Sequence, residues 1–361
     1  MTHRAPPAAR ELSIRGALLL AALLTALVLA EALVRAAGTA PDVVLIQAGR
    51  FRLSANPRLG YEPRPDVNYA GDSLVLYGFR GAGNSLGYRD YEHDVEKPGG
   101  VFRIVVLGDS LGAGLYVDRM EEVFPAILQE LLRESGAQVE VINLSVAGYN
   151  TLQEVETLKD RGLRYEPDLV LLAYCLNDVA LNEGGIIDTL VQEEQRAGGI
   201  PNNRVGNRWL VRSALYRFLR YRVFPSAPWA AAGGGADLKE RVSSNTTEDA
   251  FHELRRVAMS AELPVLVAIF PELTDLSEYR YQGEHRRIAS LSRELGFHSI
   301  DLLDIFKFCE AMIDGEIGYD RYHPTPPGHR CAAEAIAAFI EDKILNARSS
   351  MDGSADSGAA R

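Results

Sequence analysis

In the stretch Val101-Phe-Arg-Ile-Val-Val-Leu-Gly-Asp-Ser110-Leu-Gly-Ala-Gly114, an apolar, β-branched run stops at Gly108-Asp109-Ser110, and two more glycines precede an acidic segment. Val105, Val106 and Leu107 suit the interior strand of a parallel sheet, where both faces are covered and the apolar pattern is continuous rather than alternating. Ligands gather outside the carboxyl ends of such strands. A glycine there lets the backbone turn sharply, so that Ser110 presents its hydroxyl and its backbone N–H to one small volume. Alone, the stretch fits two readings: a nucleophile turn, or a strand-to-helix loop in which Ser110 caps the following helix.

Outward from this stretch, strand-like and helix-like segments alternate, which predicts an α/β fold: a doubly wound parallel sheet with helices on both faces. Strands are expected at 102–107, 138–143, 168–174, 264–270 and 297–301, and helices near 121–134, 151–163, 246–262, 281–295 and 327–346. The rhythm breaks at 183–245, an insertion long enough to be expected as a lid or a substrate-shaping element. Within it, residues 208–224 (RWLVRSALYRFLRYRVF) are expected to form an amphipathic helix packed on the domain. A membrane surface is the alternative partner for its arginines and aromatics. Residues 42–98 read as an irregular, strand-containing lead-in, in which Asn84 to Asp90 is a structural turn in preference to a substrate-facing loop.

Residues 16–34 (GALLLAALLTALVLAEALV) are apolar except for Thr25 and Glu31, and Arg4, Arg10 and Arg15 precede them. This reads as a transmembrane signal anchor with its N-terminus in the cytoplasm. A cleavable signal peptide and a buried core helix are the alternatives. The formal net charge of −11 over 361 residues argues against a nucleic-acid surface. Three cysteines are few and odd in number for an exported chain. They read as isolated buried thiols, Cys309 and Cys331 being the possible pair. No cysteine and histidine cluster has zinc-ligand spacing, and no metal is expected.

A serine hydroxyl needs a base, and the base needs a partner to fix its tautomer. Of seven histidines, His323 stands in Tyr319-Asp320-Arg-Tyr-His323-Pro-Thr-Pro-Pro-Gly328-His329, three residues after Asp320. In a turn that spacing brings carboxylate and imidazole to one side; a plain surface turn before a helix is the alternative. Two more strand ends carry Asn143-Leu-Ser145-Val-Ala-Gly148-Tyr-Asn150 and Cys175-Leu-Asn177-Asp178. A tetrahedral intermediate requires donors aimed at its oxyanion. The backbone N–H groups of Ser110 and Gly148 and the side-chain amide of Asn177 are candidates. Asp109, Ser145 and His329 read as a loop-bracing carboxylate, a turn residue and a helix residue.

Together, Gly108-Asp109-Ser110, Gly148, Asn177-Asp178 and Asp320-x-x-His323 resemble the four ordered blocks of the SGNH, or GDSL, hydrolase family, over residues 102–178 and 250–344. The resemblance implies a flavodoxin-like sheet, Ser110 as nucleophile, His323 as base and Asp320 as its orienter. It also implies an oxyanion hole of Ser110, Gly148 and Asn177, and no cofactor. One position departs from the family pattern: Cys175 stands where a glycine is usual, which bears on substrate geometry more than on chemistry.

The expected organisation is a cytoplasmic stub and anchor at 1–37, the lead-in at 38–98, a hydrolase domain at 99–346 and a disordered tail at 347–361. The expected function is that of a membrane-anchored, extracytoplasmic serine esterase, with a small-molecule, lipid or glycan ester as substrate and no nucleic-acid partner. An O-acyltransferase of cell-surface polysaccharide using the same triad, and a non-catalytic binding factor on the same fold, are the alternatives. Oligomeric state and acyl group are not legible.

Overall fold

The structure, a computed structural model, describes residues 7–44, 47–48, 50–65, 83–176, 190, 196, 199–201, 210–224 and 247–347. In chain order these form α1 (Pro7–Ala37), β1 (Val43–Val44), β2 (Gln47–Ala48), β3 (Phe51–Leu53), β4 (Tyr61–Pro63), β5 (Phe102–Leu107), α2 (Ser110–Ala113) and α3 (Phe124–Glu134). There follow β6 (Val139–Asn143), α4 (Thr151–Asp160), β7 (Leu169–Cys175), β8 (Ile200–Pro201), α5 (Ala214–Phe218) and α6 (Thr247–Ser260). The C-terminal part comprises β9 (Val265–Phe270), α7 (Gln282–Glu294), β10 (His298–Asp301), α8 (Leu303–Met312) and α9 (Pro326–Ile340).

Five strands form one parallel sheet in the order β10-β9-β7-β5-β6. Counted along the chain that is 2-1-3-4-5, the flavodoxin-like doubly wound order, whose switch point lies between β5 and β7. Successive side chains of β5 go to opposite layers. Val105 and Leu107 join the layer that holds Val155 and Leu158 of α4, Phe251 and Leu254 of α6 and Ile288 of α7. Ile104 and Val106 join the layer of Leu128 and Leu132 of α3, Phe306 of α8 and Ile336 and Ile340 of α9. Both faces are thus covered, which is why the interior strands β5, β7 and β9 read as near-continuous apolar runs.

The expected strands are present to within one residue, and most of the helices follow. α3 starts at Phe124, with Pro125 in its first turn where a missing N–H costs nothing. The helix expected near 327–346 is α9 followed by one wider turn, Glu341–Leu345. Two readings need correction. α8 was not expected; its inward residues Leu303, Phe306 and Cys309 do recur at helical spacing. It packs against α9, which brings Cys309 to Cys331 with a Cα–Cα distance of 6.5 Å, and the two form a disulfide instead of standing as separate thiols. Cys175 is a buried thiol, as read.

The lead-in forms a three-stranded antiparallel sheet, β2-β3-β4. Tyr61 of β4 donates its hydroxyl to Ala147 O at 2.8 Å, Gln153 of α4 donates to Leu59 O at 2.7 Å, and Asn56 donates to Glu156 at 3.0 Å. Asn84 to Asp90 is a turn, as preferred: the Asn84 side chain accepts from the N–H groups of Leu86 and Tyr88. Fully buried Arg103 on β5 donates to Glu140 and to the carbonyls of Asp94, Val95, Glu96 and Tyr165, so the stretch ahead of β5 is stitched to the sheet.

α1 contains Ile14–Ala37, 24 residues long and apolar enough to cross a membrane, with only 6% of its apolar window buried. The buried-core alternative is therefore excluded. The segment expected as one helix at 208–224 is divided, among its described residues, into a short turn Leu210–Arg212, α5 and a wider turn Leu219–Val223. Most of the expected insertion at 183–245, and the expected tail beyond Ala347, lie outside the described residues.

Candidate active site

Ser110 is the first residue of α2, at the carboxyl end of β5. Asp109 caps α2 by accepting the Leu111 N–H at 2.8 Å, so it braces the loop as read. The turn is held from two sides. Asn143 Nδ2 donates to Gly112 O at 3.0 Å, and Val146 N donates to Gly108 O at 2.9 Å, which ties the Ser110 turn to the loop after β6. A Cβ on Gly112 would lie 2.2 Å from Ser145 Oγ and 2.8 Å from Ser145 Cβ, so glycine alone permits this approach. On the other side, buried Arg89 donates to the carbonyls of Ala113, Gly114, Val117 and Asp118. Arg89 was not singled out as a site residue; its role depends on carbonyls far along the chain.

Asp320 and His323 stand on the loop between α8 and α9. Its neck is closed by the pairing of Gly318 with Pro324 and by Thr325 N donating to Ile317 O at 2.9 Å. Its tip is closed by Tyr319 N donating to His323 O at 2.8 Å. The Asp320 carboxylate accepts from the N–H groups of Tyr322 and His323 at 2.9 and 3.0 Å and meets His323 Nδ1 at 2.7 Å. Burial raises the Asp320 pKa, but the Tyr322 N–H and the contacts with His323 outweigh it and hold the carboxyl below its ordinary 3.8. A carboxylate only accepts, so Nδ1 carries the proton and Nε2 presents its lone pair. Ser110 Oγ lies 2.8 Å from that Nε2. Serine, imidazole and carboxylate therefore form one continuous hydrogen-bonded chain, an arrangement that can move the hydroxyl proton to nitrogen as oxygen attacks a carbonyl.

Around the imidazole lie groups that the sequence did not mark. Tyr116 sets its ring edge-to-face against His323, with centroids 5.3 Å apart, and against Tyr319 at 5.9 Å. It does so at φ 69°, a conformation rare for a bulky side chain. Arg321, inside the Asp320–His323 turn, pairs with Glu272 and donates to Tyr281 OH at 2.6 Å, while Leu273 N donates to Arg321 O at 2.7 Å. The loop bearing His323 is thus clamped to the segment after β9.

Gly148 lies on the loop at the carboxyl end of β6, with φ 79°, a left-handed conformation that glycine adopts without strain. Asn150 caps α4 just beyond it, with Gln153 completing a capping box. Asn177 lies outside the described residues. Cys175 ends β7 with its side chain in the apolar layer of Phe270 and Phe306, so it is part of the core. His329 is fully buried, stacked on Phe124 and accepting the Phe124 N–H at 3.4 Å through Nδ1. Burial, then the positive charge of Arg89 and the proximity of His323, lower its pKa from 6.5 to about 3.

The model of the GDSL-like lipase/acylhydrolase family matches residues 106–331, more than half of the chain. An arylesterase of Vibrio mimicus is 40% identical over 76 residues, a stretch covering 21% of this chain and 38% of that protein. Among solved structures, the acetyl xylan esterase AlAXEase aligns at 19% identity over 66% of this chain and 100% of its own, with a TM-score of 0.40. The psychrotrophic esterase EstA of Pseudoalteromonas sp. aligns at 16% identity over 68% and 98%, with a TM-score of 0.37.

Proposed function

The chain belongs to the GDSL-like lipase/acylhydrolase family, and from that premise we propose that it is a serine esterase working through an acyl-enzyme. Its substrate is a carboxylic ester, either a small acyl group on a glycan or a lipid ester. The observation that carries the reading is the hydrogen-bonded chain from Ser110 Oγ through His323 to Asp320, at 2.8 and 2.7 Å.

Ser110 Oγ bonds to the ester carbonyl carbon while its proton passes to His323 Nε2. The carbonyl oxygen becomes an oxyanion, for which the N–H groups of Ser110 and Gly148 and the amide of Asn177 are the donors. Collapse breaks the bond to the alcohol oxygen, which takes the proton from Nε2. Water then repeats the sequence on the acyl-enzyme, giving the free acid and restoring Ser110.

The domain lies outside the cytoplasm, held to the membrane by α1 with its N-terminus inside. The exposed apolar helix with arginines ahead of it supports this, as does the Cys309–Cys331 disulfide, a bond that persists in oxidising compartments.

Fluorophosphonate labelling with peptide mapping, followed by a panel of chromogenic esters, tests the assignment. The label is expected on Ser110, and Ser110→Ala is expected to abolish both labelling and turnover. Unchanged turnover in that variant would end the proposal. Acyl transfer to a glycan in excess of release to water would replace hydrolysis by transferase activity on the same residues.

A further inference from the structure

Glu31 is the one carboxylate in the apolar stretch 16–34 of α1, and most of its partners come from the insertion. Glu31 accepts from Ser213 Oγ at 2.7 Å and from the N–H groups of Ala214 and Leu215 at 2.9 and 2.7 Å, so it caps α5 from a distant element. Arg35, one turn further on, donates to Glu31 and to Arg212 O. Arg217 donates to Pro41 O at 2.9 Å, just past the end of α1. The segment Leu210 to Phe224 is therefore fixed to this end of α1 at three places.

The height of that junction can be reckoned. Arg15 and Arg35 are 20 residues apart in α1, roughly 30 Å at 1.5 Å per residue, which matches the hydrocarbon thickness of a bilayer. A helix crossing between these two arginines brings residues 210–224 level with the headgroups. The segment is built for that level: Leu210, Leu219, Val223 and Phe224 are exposed, Phe224 at 69%, and Arg212 and Arg222 are exposed among them. An apolar edge flanked by arginines suits the boundary between acyl chains and anionic headgroups.

We propose that residues 210–224 form a collar resting in the headgroup layer of the bilayer that α1 crosses, with Arg212 and Arg222 meeting the phosphates of anionic phospholipids. The proposal rests on the reading of α1 as a membrane span and is independent of the Ser110 chemistry. The collar is a membrane-facing surface in addition to the anchor itself.

The full chain in phosphatidylcholine vesicles, with and without phosphatidylglycerol, gives the test. Cys175 is buried and the other two cysteines are bonded to each other, so a bimane probe can be placed selectively at Phe224→Cys, at Leu23→Cys in mid-span and at Asp342→Cys as a solvent control. The Phe224 probe is expected to be quenched by headgroup-level nitroxide lipids and shielded from aqueous iodide, while the Asp342 probe shows the reverse. In vesicles containing phosphatidylglycerol, Arg212→Gln and Arg222→Gln are each expected to lower the ratio of docked to undocked probe roughly fivefold. A Phe224 probe open to iodide, while the Leu23 probe is quenched by deep nitroxides, overturns the collar and keeps the span. A Leu23 probe open to iodide removes the span, and the collar with it. A Phe224 probe shielded from iodide yet unquenched by lipid overturns the proposal in favour of a protein, or a second copy of the chain, covering that edge.

Discussion

Asp320 does two things with one carboxylate: it builds its turn by accepting from the Tyr322 and His323 N–H groups, and it fixes the imidazole through Nδ1. Asp320→Asn separates them: with the amide oxygen at the Oδ1 position the backbone N–H groups keep their acceptor. The NH2 at the Oδ2 position, which faces Nδ1 at 2.8 Å in the native site, donates to Nδ1 and favours the tautomer whose Nε2 carries the proton and cannot accept from Ser110. We expect kcat to fall on the order of a thousandfold to ten-thousandfold, with little change in KM or in thermal stability. Steady-state kinetics beside a melting curve checks this, and a matching loss of fold would make Asp320 chiefly structural. His329 gives a pH prediction. Its folded pKa is depressed from 6.5 to about 3, so between those values the unfolded chain binds a proton that the folded one refuses. Stability contributed by neutral His329 is therefore full above 6.5 and is lost as pH falls toward 3, by up to roughly 1.4 kcal/mol per pH unit. In His329→Met, denaturant unfolding measured across that window should show a flatter dependence on pH. Ser110 and the Asp320-x-x-His323 spacing were legible because each is a local signal. Arg89 was not, because nothing near it in sequence tells of the four carbonyls it holds, 24 to 29 residues away.

Between elements, the contact that sets the position of Ser110 is the seating of α2 on the loop after β6. Gly112→Ala should push the two apart, costing about 1 to 3 kcal/mol of stability and reducing turnover more than binding. Adding Ser145→Gly removes both atoms that the new methyl meets and should restore much of the loss. Failure of the double variant to recover would mean that the clash is not what matters at Gly112. The interior strands were readable at this scale because burial on both faces leaves a near-continuous apolar run, whereas α8 was missed. It starts only two residues after β10, and its first turn is set by Asp301, whose side chain accepts from Leu303 N while also bound to His285 Nδ1 on α7. The Asp301 cap is local, but with a single residue, Leu302, between strand and helix it reads in sequence as an ordinary strand-end turn, and its hold on His285 is not written near it. The disulfide was misread for the same reason, since Cys309 meets Cys331 only through the packing of α8 on α9.

Over the whole molecule, the parallel order and the side of the sheet that carries the site followed from alternating patterns and the rule of strand ends. The attachment of 210–224 to α1 did not, because it joins residues more than 170 positions apart through a carboxylate that the sequence marked only as an exception in an apolar run. The disulfide also has meaning at this scale, because the 22-residue interval it closes contains both Asp320 and His323. Closing a loop of that length contributes roughly 3 kcal/mol by restricting the unfolded chain. Cys309→Ser with Cys331→Ser should therefore lower unfolding stability by about that amount, measurable by denaturant titration. Reduction should also cost activity before global unfolding, since the loop carrying Asp320 and His323 is the part released. Dithiothreitol titration of ester turnover, followed beside far-UV circular dichroism, checks it; activity and ellipticity lost together would deny the loop any separate sensitivity. On that expectation the bridge acts as a clock as much as a brace: a chain whose cysteines are still reduced carries Ser110 but holds His323 loosely. On the proposed export of the domain, full hydrolytic competence arrives with oxidation, after the domain leaves the compartment whose esters it could otherwise attack.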